Sequence, residues 1–195
     1  MIMKIARPIS IQPLPENAKK VFQGEFFSLY QYEVKGYDGA MRIFEKAKRR
    51  DTAMVVAITE DKKIILGLQE QPGKPFFTGL VGGQINEGED ALTAAKRELL
   101  EESGYEAKDW LLFDAVQPVS KVEWAIYTFI AKGCKKVAEQ KLDGAEKIEL
   151  KLVDFNEFIK IASASDFMDL ELKIKVLEAL AFPEKMAELK KIIMG

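Results

Sequence analysis

Glu98, Glu101 and Glu102 stand at i, i+3 and i+4, a spacing that puts three carboxylates on one side of an α-helix. Like charges so placed repel and cost stability unless a cation or solvent offsets them. Carboxylate oxygens select a hard ion, Mg²⁺ or Mn²⁺, and such ions keep water and bind substrate phosphates as well. Glu89 enters from the loop before the helix, and Gly82 and Gly83 let the backbone turn tightly, leaving carbonyl oxygens beside the carboxylates. Three glutamates alone are more often a solvated acidic face. The surrounding spacing has to decide.

Composition narrows the chemistry. The chain of 195 residues has no histidine, which removes Ser-His-Asp and Cys-His nucleophilic sites, His-ligated zinc and an imidazole base. Catalysis must then run on carboxylates, Lys, Tyr, Ser, the single Cys134, or an oxygen-held metal. One cysteine forms no internal disulfide, and no signal-like or membrane-length apolar run is evident, so a reducing cytoplasm is expected and no membrane partner. A net charge of -2 gives no basic field for nucleic acid. The one basic cluster is Lys46, Lys48, Arg49 and Arg50.

Residues 90–103 carry helical spacing, with Ala91, Ala94, Ala95, Leu99 and also Leu92 as the inward stripe and Gly104 at the left-handed cap position. Ahead of it, an arm broken by Pro8, Pro13 and Pro15 leads into a hairpin over 26–34 and 41–47. Strands follow over 52–59, 64–69 and 80–82. Three more are expected over 110–116, 124–131 and 147–153, then helices over 154–162 and 168–181, and an amphipathic tail after Pro183. Cys134 is expected in a turn after a strand. The alternation implies a mixed sheet flanked by helices, in the α/β or α+β sense. Residues 1–48 read as an arm and strand pair, and 49–195 as the main domain.

The stretch resembles the Nudix box, G-x5-E-x7-R-E-U-x-E-E-x-G-U with U bulky and apolar, at Gly83, Glu89, Arg97, Glu98, Leu99, Glu101, Glu102 and Gly104, with Tyr105 in the last U place. Seven fixed residue types coincide by chance on the order of once in 10⁸ to 10⁹ positions. The resemblance implies an α/β/α sandwich. It also implies that Glu98, Glu102 and the Gly82 carbonyl ligate the metal, that Glu101 ligates or orients water, that Glu89 contributes directly or by water, and that Arg97 orients the row. It further implies hydrolysis of a nucleoside diphosphate linked to another moiety.

The N-terminal strands, the Arg49-Arg50 corner, the segment Gln69-Glu70-Gln71-Pro72 and the C-terminal helix are similar to the ADP-ribose and nucleotide-sugar pyrophosphatase branch. The branch commonly dimerises through its N-terminal strands, so a homodimer is expected. The acidic segment 142–149 resembles that branch's late loop, with Glu146 the first candidate for activating water and Glu149 the second. Phe26, Phe27 or Tyr30 is expected to stack on the base, Arg49 or Arg50 to hold phosphate or ribose, and Glu70 to contact substrate. Where the ADP-ribose enzymes carry a proline after the box, this chain has Ser120, with Pro118 two residues short, which leaves another nucleotide sugar open. A Nudix-fold nucleotide sensor and a dinucleotide or triphosphate pyrophosphohydrolase are the competing classes. With imidazole absent, the proton acceptor must be Glu146, Glu101 or a loop carboxylate such as Glu123.

Overall fold

The computed structural model describes residues 5–144 and 146–195, so the first four residues of the arm and Ala145 of the acidic loop lie outside the described residues. From the N-terminus come β1 (Lys19–Gln23), β2 (Ser28–Lys35) and β3 (Met41–Lys48), then β4 (Thr52–Thr59), β5 (Ile64–Gln71), β6 (Lys74–Gly79) and β7 (Val81–Gln84). Helix α1 (Ala91–Ser103) is followed by β8 (Tyr105–Glu106), β9 (Asp109–Val116), β10 (Val122–Glu123), β11 (Ile126–Lys136) and β12 (Lys147–Val153). Helices α2 (Phe155–Ala162), α3 (Leu170–Ala181) and α4 (Pro183–Met194) complete the described chain.

β4 and β11 run parallel at the centre of the larger sheet, in the order β12-β5-β4-β11-β8, with β6 on β5, β7 on β4 and β9 on β11. The sequence of β4 explains its place. Ala53, Val55 and Ala57 turn to one face and meet Ala94, Ala95 and Leu99 of α1. Val56 and Ile58 turn to the other, against Phe158, Leu172, Val176 and Ile193 of the C-terminal helices. A strand covered on both faces reads as apolar throughout rather than alternating. This is the mixed sheet flanked by helices expected from the alternation of elements, and the α/β/α sandwich that the resemblance implies.

The N-terminal hairpin is wider than its sequence suggests. β1 adds to β2, and β10 adds in parallel to β3, making a second sheet in the order β1-β2-β3-β10. Every residue of β1 is exposed, so it carries no buried alternation from which a strand would be recognised. Cys134, expected in a turn, instead lies buried within β11, where burial pushes its thiol up to about 11 and makes it inert.

The arm has no regular structure over residues 5–10, yet it is pinned at that end. The Arg7 guanidinium pairs with Asp51 Oδ2 at 2.7 Å and with Glu123 Oε1 at 2.7 Å. Fully buried Lys46 of β3 places its Nζ 2.8 Å from Glu123 Oε2 and donates to Ser10 Oγ and the Gln12 carbonyl. One carboxylate thus joins arm, N-terminal sheet and β10. Glu123 is therefore corrected from a possible loop base to a structural clamp.

Burial alone would raise the Glu123 carboxyl, but Lys46, Arg7 and Gln117 outweigh it and hold it at about 2. A depressed acid contributes stability above its unfolded value, and that contribution is lost as pH falls through the folded one. Glu123→Ala, which strands a buried ammonium, should lower the unfolding free energy at pH 7 by about 3–5 kcal/mol in urea titrations. The gap to wild type should narrow as pH falls from 4.5 to about 2.

Candidate active site

α1 is fixed at both ends by its own sequence. The Asp90 side chain accepts from the Leu92 and Thr93 amides, and Gly104, at φ 74°, closes the helix by donating to the Leu100 carbonyl. Within that frame Arg97 gathers the acidic row. Its Nε reaches Glu89 Oε1 at 3.0 Å, and its Nη1 reaches Glu98 Oε1 at 2.7 Å and Glu101 Oε2 at 3.0 Å. Its Nη2 donates to the Gln84 carbonyl at 2.9 Å, tying the row to β7. The hydrogen bond from Arg97 holds the Glu89 carboxyl below its ordinary value.

Glu102 lies beyond that arginine. It is 6% exposed, and its Oε2 accepts from the Gly82 amide at 2.7 Å. Burial first, then the nearby Glu98, Glu146 and Asp169 charges, push its carboxyl up to about 9. Burial also raises Glu98, against the opposing pull of Arg97. The glycines make room for this pair. A side chain at Gly82, whose φ is 151°, would strike the Ala53 carbonyl, and one at Gly83 would enter the Glu98 carboxylate. Among the described residues no three acidic side chains are already closed on one point as a metal cage. Glu102, buried with no cation on it among the described residues, and half-buried Glu98, whose Oε1 is held by Arg97, nevertheless form the donor set that a hard dication fits, with substrate and water completing its shell.

The helix end also positions the loop opposite. Its outgoing carbonyls, which have no partner within the helix, are met by residues 137–141. Gly104 O accepts from the Val137 and Ala138 amides, and Glu101 O from the Lys141 amide at 2.7 Å. Gln140 Nε2 bridges Glu102 O at 2.6 Å and Ile148 O at 3.1 Å. The chain is thereby led back so that Glu146 lines a cavity of about 670 Å³ shared with Gly82, Glu98, Glu101 and Glu102. Burial, then Asp143 and Glu101, raises the Glu146 carboxyl.

The cavity is also lined by Phe26, Arg50, Gln71 and Lys141. Phe26 is 59% exposed. Four expected substrate contacts fall elsewhere. Arg49 lies over the Trp124 ring at 4.6 Å and the Phe27 ring at 5.6 Å, and neither Arg49 nor Phe27 lines the cavity. Glu70 pairs with Lys147 at 3.1 Å on the neighbouring surface, and Tyr30 is within β2. Glu149 points to solvent from β12. Glu89 stands behind Arg97 rather than on the cavity wall. Neighbouring side chains point in different directions, so the Phe26/Phe27 and Arg49/Arg50 choices were not readable from composition.

The NUDIX domain model matches residues 48–170, more than half of the chain. The chain belongs to the NUDIX family. Among similar proteins, a methanol dehydrogenase activator of Bacillus methanolicus is 30% identical over 164 residues, covering 81% of this chain and 87% of that one. An ADP-ribose pyrophosphatase of Bacillus subtilis (strain 168) is 26% identical over 154 residues, covering 77% and 83%. The crystal structure of an ADP compounds hydrolase superposes with a TM-score of 0.71 over 95% of this chain and 97% of that one, at 20% identity, and so shares the Nudix fold.

The buried Nudix glutamate has a measurable cost in metal-free protein. An acid whose folded value is raised loses stability as pH climbs from its unfolded 4.5 towards about 9. With chelator present, Glu102→Gln should leave the melting temperature unchanged near pH 4.5. At pH 7 it should exceed wild type by roughly 3 kcal/mol in unfolding free energy. A wild type as stable as the variant across this range would refute the assignment of an uncompensated carboxylate.

Proposed function

We propose that this Nudix chain hydrolyses a nucleoside diphosphate linked to another moiety, ADP-ribose or a related nucleotide sugar, to two monophosphate products, using Mg²⁺ or Mn²⁺. The observation that carries this reading is the convergence of Glu98, Glu101, Glu102 and Glu146 on one cavity that Phe26 and Arg50 also line, with Glu102 buried and no cation on its carboxylate among the described residues. The names of two similar proteins, an ADP-ribose pyrophosphatase and an ADP compounds hydrolase, support the same substrate class.

Glu98, Glu102 and the Gly82 carbonyl would hold the divalent ion. When bound, such an ion neutralises phosphate charge, polarises the phosphorus and lowers the pKa of coordinated water. Arg97 keeps Glu98 and Glu101 from splaying apart and anchors them to β7 through Gln84. Glu89 fixes the other edge of that guanidinium. Glu146, with no cation on its carboxylate among the described residues, takes the proton of the attacking water. Arg50 and Lys141 face the diphosphate, and Phe26 offers its ring to the base.

The N-terminal unit, residues 1–48, is read as the dimer-forming element, because Val21, Phe22, Met41 and Ile43 leave apolar surface exposed there. Among the described residues no helix is long and apolar enough to cross a membrane. The single buried thiol suits a reducing cytoplasm.

Products formed from ADP-ribose, ADP-glucose, GDP-mannose, NADH and diadenosine compounds in ¹⁸O-water with Mg²⁺ test the proposal by mass spectrometry. Expected are two monophosphates, one carrying ¹⁸O; no turnover of any of these compounds by the wild type overturns it. Glu146→Gln should lower kcat by about 10²-fold while Mn²⁺ affinity stays within about twofold. Glu98→Gln should weaken both.

A further inference from the structure

One edge of the strand that carries Gly82 has no strand beside it, and its outward amides are met in another way. Three alternate residues, Thr78, Leu80 and Gly82, present their N–H groups along this edge. The Thr78 amide donates to the Asp166 carbonyl at 3.1 Å, and the Thr78 carbonyl accepts from the Met168 amide at 3.0 Å, so residues 166–168 run alongside as a short parallel bridge. The Leu80 amide donates to Asp169 Oδ2 at 2.7 Å. The Gly82 amide donates to Glu102 Oε2 at 2.7 Å. Two carboxylates, one strand repeat apart, thus occupy the place of a neighbouring strand.

Asp169 precedes α3, where an aspartate ordinarily caps the helix through its side chain. It makes no cap hydrogen bond here. Its carboxylate is turned instead onto the backbone of another element, while Gln69 Nε2 holds the carbonyl of the same residue, Leu80, at 3.1 Å. The Leu80 residue is therefore clamped at both its N–H and its C=O. That clamp sits two residues before Gly82, whose amide fixes Glu102 and whose carbonyl is assigned above to the metal. Placing a second carboxylate near Glu102 is electrostatically unfavourable, so its retention here asks for a return.

We infer that Asp169 is a positioning residue of the metal site: its bond to the Leu80 amide sets the backbone from which Gly82 orients Glu102 and presents its own carbonyl. This rests on the reading of Glu98, Glu102 and Gly82 as divalent-ion ligands. Partners that hold metal ligands in place are worth about 10–100-fold in affinity when removed. Asp169 acts entirely through the strand and touches neither substrate nor metal.

Mn²⁺ binding to the protein, read from the electron paramagnetic resonance signal of free Mn²⁺, tests the inference without reliance on turnover. Asp169→Ala should weaken Mn²⁺ by about tenfold and speed hydrogen exchange at the Leu80 and Gly82 amides. Asp169→Asn, which keeps an acceptor oxygen, should bind within about threefold of wild type. Should Asp169→Ala fail to fold, Gly79→Ala serves in its place, because the new methyl would stand 3.0 Å from Asp169 Oδ2 and displace the carboxylate without removing it; about threefold weaker binding is expected. Wild-type Mn²⁺ affinity in the folded Ala variants overturns the inference, as does an Asn variant as weak as Asp169→Ala. Wild type that binds no Mn²⁺ overturns the metal-site reading and this inference together, and is seen before any Asp169 variant is made.

Discussion

The site depends on keeping like-charged carboxylates close together without neutralising them all. A helix delivers Glu98, Glu101 and Glu102 to one side at no conformational cost, but their repulsion would splay the side chains into solvent. Arg97 prevents this for three of the four box glutamates and leaves the fourth alone. It spans Glu89, Glu98 and Glu101 and anchors the group to the Gln84 carbonyl. Glu102 is held by a backbone amide instead, which fixes its position without supplying a full positive charge. The outcome is a graded site, with one end balanced and the other electron-rich and buried. A hard cation is drawn to the unbalanced end, and the arginine keeps that end from relaxing.

Everything else positions the two walls facing this row. The outgoing carbonyls of α1 recruit residues 137–141 and so lead Glu146 back towards the helix that they terminate. One set of unsatisfied backbone groups thereby organises the loop that completes the cavity. On the opposite side, the Arg7, Lys46 and Glu123 cluster ties the arm and the N-terminal sheet to the core at the start of β4. Arg50, on the cavity wall, directly precedes Asp51 of that cluster, so the backbone beside it is held by the charge network. A buried pair of this kind adds little net stability when intact and is expensive to break, which suits a joint that must have one geometry.

Local features were legible in the sequence, and features closed over long separations were not. The Asp90 cap, the Gly104 terminus and the acidic row are set within one helix, so their spacing foretold their geometry. The two-face burial of β4 was visible as an unbroken apolar run. By contrast, Arg7 meets Glu123 across 116 positions and Leu80 meets Asp169 across 89, and nothing in either neighbourhood marks the partner. The choice of Phe26 over Phe27 as cavity wall depends on which way a short connection between β1 and β2 turns. β1 itself was missed because a fully exposed strand has no inward set of residues to alternate.

The absence of histidine acquires a physical meaning in this arrangement. The acid–base groups on the cavity wall are carboxylates beside Arg50, Arg97 and Lys141. Glu101, 39% exposed at its side chain, is already bound to Arg97. In the proposed function Glu98 and Glu102 are given to the divalent ion. Glu146 is half-buried, has no cation on its carboxylate among the described residues, and is raised by burial and by the Asp143 and Glu101 charges. Burial without a counter-cation is what brings a carboxylate towards the range where it accepts protons near neutrality. The loop that supplies it is tethered to the C-terminal end of the same helix, so Glu146 keeps a common frame with Glu98 and Glu102.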